Sequence, residues 1–280
     1  MKSMALNYDL YLYFDPEDNV AKNPGEYGWA ENFKRFLSIM LRQFLGRHPV
    51  FLETDLEKEA DILEEVKALI FILSPASVKS PALQHILTGF KQISTRQKDI
   101  EFTNRIFKIV KFPVPLGDQP EEVRAQLPFD LYDYDPASGK TKEIENFFSQ
   151  EAEMNYWMKL VDLAFDINST LSHFEKHEHI NEHVTPKRSV FLAETGPELI
   201  VQRNMIKREL LRQGYQVHPD RNLSTEAKAL SEEVKDILGN CNYSIHLMGD
   251  HVAVGNEVSI SEGLLLASRR CNRTMWILSS

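Results

Sequence analysis

Residues 68–73 read Ala68-Leu69-Ile70-Phe71-Ile72-Leu73, an uninterrupted apolar run halted by Ser74-Pro75. A strand with no polar face has no side that water can cover, so the run demands helices above and below its sheet, as in a parallel α/β protein. The flanking sequence supplies them. Residues 8–14 are dense in Tyr and Leu and stop at Asp15-Pro16. Trp29, Phe33, Phe36, Leu37, Met40, Leu41, Phe44 and Leu45 then recur at intervals of three and four, predicting a helix with Gly46 as its C-cap. A short strand over 49–52, helices over 58–67 and 83–92, and strands over 105–112 and 130–134 complete a doubly wound first unit, with Pro136 and Gly139 turning the chain.

The order begins again beyond Pro186. Strands are expected over 190–193, 215–218, 243–248 and 274–278, with helices over 197–213, 227–238 and 259–269. Pro197 suits a first helical turn, and Gly214 suits the stop. Between the units, residues 149–185 carry a helical stripe of Tyr156, Trp157, Leu160, Val161, Ala164 and Phe165, able to close the first unit or face a neighbour, and then a polar His-rich stretch. The expected organisation is residues 1–148, a connecting helix and linker over 149–185, and a second unit over 186–280. That second unit stops at its fourth strand, the pattern of a truncated domain, since a fifth strand normally covers the edge.

Composition narrows the partners. The net charge is -9, which gives no general attraction for a nucleic-acid backbone. Cys241 and Cys271 form no C-x-x-C pair, and no apolar run reaches the ~18 residues of a membrane span. The expectation is a cytoplasmic protein with no membrane and no nucleic-acid partner.

Particular segments resemble the bacterial TIR (Toll/interleukin-1 receptor) family. In the first unit these are residues 8–18, Leu73-Ser74-Pro75-Ala76-Ser77-Val78-Lys79-Ser80, residues 105–114, and Tyr132-Asp133-Tyr134-Asp135-Pro136-Ala137-Ser138-Gly139. In the second they are Val190-Phe191-Leu192-Ala193-Glu194-Thr195, residues 208–217, and Ser244-Ile245-His246-Leu247-Met248-Gly249, a more divergent version. The resemblance implies two consecutive flavodoxin-like units, each a mainly parallel sheet flanked by helices. It also implies signalling or defence by self-association, or by association with other TIR-containing proteins.

The resemblance further implies NAD⁺ as a substrate for active members and no tightly bound cofactor. Their glutamate lies on the helix after the third strand, where a carboxylate stabilises positive charge as the nicotinamide bond breaks. The family register puts Ile86 at that position in the first unit and Glu262 in the second, with Glu257 nearby. Glu262 is thus the candidate catalytic residue of an NAD⁺ hydrolase or cyclase, while an acid in the first turn of a helix also serves the helix dipole. Glu262-Gly263 with Ala267 and the strand at 274 also resembles nucleoside deoxyribosyltransferases, a third reading.

Other motifs read as structural. Ser138-Gly139-Lys140-Thr141 lacks the first glycine of a phosphate-binding loop, Tyr134 standing there, and reads as a turn. His173, His177, His179 and His183 have no third ligand of clear geometry, so no metal site is expected. The acidic run Glu57, Glu59, Asp61, Glu64, Glu65 reads as a solvated face.

Overall fold

The computed structural model describes residues 6–21, 23–53, 60–97, 102–124, 126–135, 140–143, 150–177, 188–195, 199–220, 223–224, 227–248 and 274–279. Two compact units emerge, Met1–Asn181 and Glu182–Ser280. Both are α/β.

In the first unit β1 (Tyr8–Tyr13), β2 (Val66–Leu73), β3 (Ile106–Val110) and β4 (Pro128–Asp130) form a parallel sheet in the order β1-β2-β3-β4. Phe51 adds a parallel bridge to Leu10 on the outer side of β1. Counting that segment, the strand order is the flavodoxin-like 2-1-3-4-5, whose direction reverses between β1 and β2. The strand expected over 49–52 is only this bridge, and the helix expected over 58–67 gives way to a 3₁₀ turn, Ala60–Glu65, running into β2.

The apolar run is divided between two layers. Ala68, Ile70 and Ile72 face one core with Phe33, Leu37 and Leu41 of α1 (Trp29–Leu45), whereas Leu69, Phe71 and Leu73 face the other with Leu83, Leu87 and Phe90 of α2 (Pro81–Gln97). Gly46 caps α1 in the left-handed region, φ 68°, and returns its N–H to the Arg42 carbonyl. Of the predicted stripe, Trp29, Phe33, Leu37 and Leu41 are buried, Phe36 and Met40 flank the core, and Phe44 is largely exposed at an edge-to-face contact with Phe165.

The chain after β3 departs from expectation. A short helix α3 (Glu121–Arg124) precedes β4, and the parallel ladder ends at Leu131, whose N–H reaches the Val110 carbonyl. Residues beyond it form an antiparallel hairpin of β5 (Tyr132–Asp135) with β6 (Lys140–Glu143) instead of extending the sheet. The reason is polarity: alternating Asp on one strand and Lys on the other suits a solvated ribbon and not a strand covered by helices. Lys140 and Thr141 therefore lie in a strand, not at the start of a helix, where a phosphate loop would need them.

Helix α4 (Gln150–His177) closes the first unit. Tyr156, Leu160, Leu163, Ala164, Ile167 and Leu171 are buried in the same core as α1, Tyr156 and Trp157 meet Phe36 edge-on, and Lys159 and Thr170 donate to the carbonyls of Tyr132 and Asn104. Of the histidines, His173 donates to Ser169 one turn earlier, and His179 and His183 lie outside the described residues.

At the amino-terminal end of β1, Asp9 is buried and held by Nη1 and Nη2 of Arg47, the ammonium of Lys67 and the N–H of Val50. Burial pushes this carboxyl up, but those three donors together outweigh it and leave the pKa below the ordinary value. A depressed folded pKa gives stability that is present above the unfolded pKa and lost as pH falls through the folded one. Asp9→Asn should cost about 2 kcal/mol at neutral pH, as for hydrogen bonds to a charge, and the loss should shrink in acid. Urea unfolding of parent and variant against pH measures both, and a pH-independent difference would refute the assignment.

The second unit repeats the topology. Strands β7 (Ser189–Leu192), β8 (Gln216–His218), β9 (Tyr243–Met248) and β10 (Thr274–Ser279) form a parallel sheet in the order β10-β9-β7-β8, with reversal between β7 and β9. Helix α5 (Ile200–Arg212) ends at Gly214 in the left-handed region, φ 81°, and α6 (Ala227–Asn240) buries Val234 and Leu238 against Phe191. The helix expected over 259–269 lies outside the described residues.

Candidate functional site

In an open α/β sheet, ligands enter at the carboxyl ends of the strands flanking the reversal. In the first unit that place lies between the ends of β1 and β2, and its polar groups are occupied. Asp15 accepts the Glu17 N–H at 3.0 Å, capping the 3₁₀ turn Pro16–Asn19. Asp18 turns inward, 4% exposed, and accepts the Ser74 hydroxyl at 2.7 Å and the Lys111 ammonium at 3.1 Å. Ser74 and Ser77 exchange side-chain and backbone hydrogen bonds. Asn19 accepts the Glu31 N–H, so it caps α1 from a distance, and its backbone lies so close to Gly28 that any Cβ there would overlap it.

The result is a loop fastened across the crevice. Lys111, arriving from the end of β3, also lies 5.6 Å from the centroid of the Trp29 ring. What stays open is a shallow cleft of about 460 Å³ bordered by Glu17, Pro75, Lys79, Ser80 and Pro81, with the Tyr13 hydroxyl donating to Ser80. Asp18 is held by the Lys111 ammonium and the Ser74 hydroxyl inside the protein and does not line the cleft. Sequence alone does not join this network, because its members come from three segments separated in the chain, although all three carry the resemblance.

Ile86 lies on α2, 6% exposed, in the core with Leu83, Leu87 and Phe90. A side chain at this register enters the packed layer beneath the sheet. The first unit therefore brings no carboxylate from α2 to the crevice among the described residues.

The equivalent corner of the second unit is different. Ala193 donates to the Ile245 carbonyl at 2.9 Å, carrying β7 one residue further alongside β9, and Glu194-Thr195 follow at the reversal. Beneath them Arg203 of α5 is buried, donating Nε to the Ala193 carbonyl at 2.9 Å and Nη2 to that of Leu192 at 3.2 Å. Glu194 is half-buried, and burial pushes its carboxyl up against the partial opposition of Arg203. The Thr195 hydroxyl is buried without a hydrogen-bond partner among the described residues.

On the other face of the same sheet, His246 is buried beside Phe191, with ring centroids 6.0 Å apart, and burial lowers its pKa, keeping the imidazole neutral. In the sequence Glu194 and His246 stand out only as parts of the segments that carry the resemblance, and Arg203 does not stand out at all. A Glu directly after an apolar strand of a repeated α/β pattern is the signal that could have found it. Glu262 and Glu257 lie outside the described residues. Among those described, no three His, Cys, Asp or Glu side chains group as metal ligands, and no helix is long and apolar enough to cross a membrane. Compared with known proteins, the chain matches no family model and no curated protein significantly.

Proposed function

We propose that the protein is a TIR-type signalling or defence module whose first unit works by self-association. The observation that carries this reading is the fastened loop: Asp18, Ser74 and Lys111 satisfy one another at the strand ends, and Ile86 occupies the core position that the family register gives to the acid. A unit that keeps the scaffold while α2 brings no carboxylate to the shallow cleft that remains keeps its surfaces. Exposed apolar side chains stand beside the network, with Val20 72% exposed on the loop that holds Asp18 and Phe112 38% exposed next to Lys111.

A stable contact between copies buries ~800 Å² on each. Sedimentation of the full chain at tens of micromolar should show association, and Phe112→Asp should weaken it about tenfold, as expected of an aromatic interface residue, without a change in melting temperature. A strict monomer would overturn the reading.

A second reading, NAD⁺ cleavage through Glu262, attaches to the second unit, and the unsatisfied groups at its crevice favour it. Turnover of a fluorescent NAD⁺ analogue that disappears in Glu262→Gln would establish it.

A further inference from the structure

Gly28 holds the N-cap position of α1 with φ -66° and ψ 172°, a backbone open to any residue, and its own side makes no capping hydrogen bond. Helices favour Ser, Asp or Asn there, because a side-chain oxygen can accept an N–H of the first turn. In this unit that oxygen comes from another segment: Asn19 Oδ1 accepts the Glu31 N–H at 3.0 Å. Space, not conformation, calls for the glycine, since a Cβ at position 28 would overlap both the carbonyl oxygen and the side-chain oxygen of Asn19. The loop of residues 15–20 is therefore anchored twice, at Asn19 to the start of α1 and at Asp18 to Ser74 and Lys111 at the ends of β2 and β3. Val20 follows these two anchors directly and is 72% exposed.

We infer that Gly28 and Asn19 are positioning residues of the first unit's assembly face: the absent side chain at 28 seats Asn19, and the seated loop presents Val20, with Phe112, to a second copy of the chain. The inference rests on the assembly reading above. A helix that needed only a cap would have it from Ser, Asp or Asn at 28, with no second segment involved. Taking the cap from Asn19 fixes the loop as well as the helix. That matters for a contact surface, because a loop that has to be ordered during association subtracts from the affinity, whereas one already held does not.

Gly28→Ser separates capping from positioning. Its hydroxyl can take over the Glu31 N–H, so α1 keeps a cap and the melting temperature should change little. Its Cβ displaces Asn19, and sedimentation of the full chain should show association weakened about tenfold, the scale of an interface anchor. Val20→Asp should weaken the parent by a similar factor and add little to Gly28→Ser, because the two changes act on one contact. Tryptophan emission reports the loop independently: Trp29 is 7% exposed and its ring centroid lies 5.6 Å from the Lys111 ammonium, so emission should move to longer wavelength once the loop lifts and water enters. Asn19→Ala frees the loop without adding an atom at the helix start, should weaken association severalfold, and carries the test if Gly28→Ser does not fold. An associating parent with Gly28→Ser or Asn19→Ala equally associating, additive effects of Gly28→Ser and Val20→Asp, or unchanged emission in Gly28→Ser would each overturn the positioning role and leave the assembly reading in place. A parent that stays monomeric at tens of micromolar would overturn both.

Discussion

Replacing Ile86 with Glu is expected to destabilise the first unit by about 5 kcal/mol, the upper range for point substitutions, and to create no activity. Ile86 is 6% exposed between Leu83, Leu87 and Phe90 under the sheet, so the new carboxyl would meet only apolar side chains. The deficit should deepen as pH rises. In the unfolded chain a Glu carboxyl ionises near pH ~4.3, whereas burial raises its pKa in the folded chain. Between those values the unfolded state holds fewer protons, and stability falls by about 1.4 kcal/mol for each pH unit relative to the parent. Urea unfolding near pH ~5 and ~7.5 reads both effects. A variant as stable as the parent, or one that cleaves NAD⁺, would move residue 86 from the core to the crevice and undo the assembly argument.

Arg105→Ala should cost about 4 kcal/mol, the scale of leaving several buried acceptors unsatisfied and a cavity where the side chain packed. The guanidinium is 1% exposed and donates Nε to the Lys67 carbonyl at 2.8 Å, Nη2 to the Val66 carbonyl at 2.7 Å and Nη1 to the Gln97 side chain at 2.6 Å. It also lies 4.8 Å from the Phe90 ring centroid and 5.3 Å from that of Phe174. One side chain thus ties the start of β2, the end of α2 and the end of α4. Arg105→Lys should recover only a minor part, because a compact ammonium cannot reach acceptors spread along a planar fork. Thermal unfolding of the two variants decides this, and a Lys variant equal to the parent would reduce the role of Arg105 to its charge.

The same residues show why parts of this protein were legible and parts were not. Element type along the chain follows from local periodicity: Ala68–Leu73 has no polar face, the α1 stripe has the helical interval, and Gly46 stands where a left-handed cap is needed. These constraints act within a few residues. The strand expected over 130–134 belongs to the sheet only at Asp130, while Tyr132–Asp135 pairs with Lys140–Glu143 as a hairpin; length and aromatic content are alike in the two, and only pairing partners separate them. Likewise, α4 could face either way until the aromatic contacts with Phe36 placed it on the first unit.

For the sites, the sequence determined which residue types stood at the strand ends, including Asp18, Ser74 and Glu194, and that an apolar Ile86 stands on α2. Tertiary structure alone decided that Lys111 reaches Asp18 across a chain separation of 93 residues while the Thr195 hydroxyl finds no partner among the described residues. Hydrogen bonding and desolvation act over a few ångströms in space, whatever the distance along the chain. A list of carboxylates therefore cannot tell those satisfied within the protein from the rest.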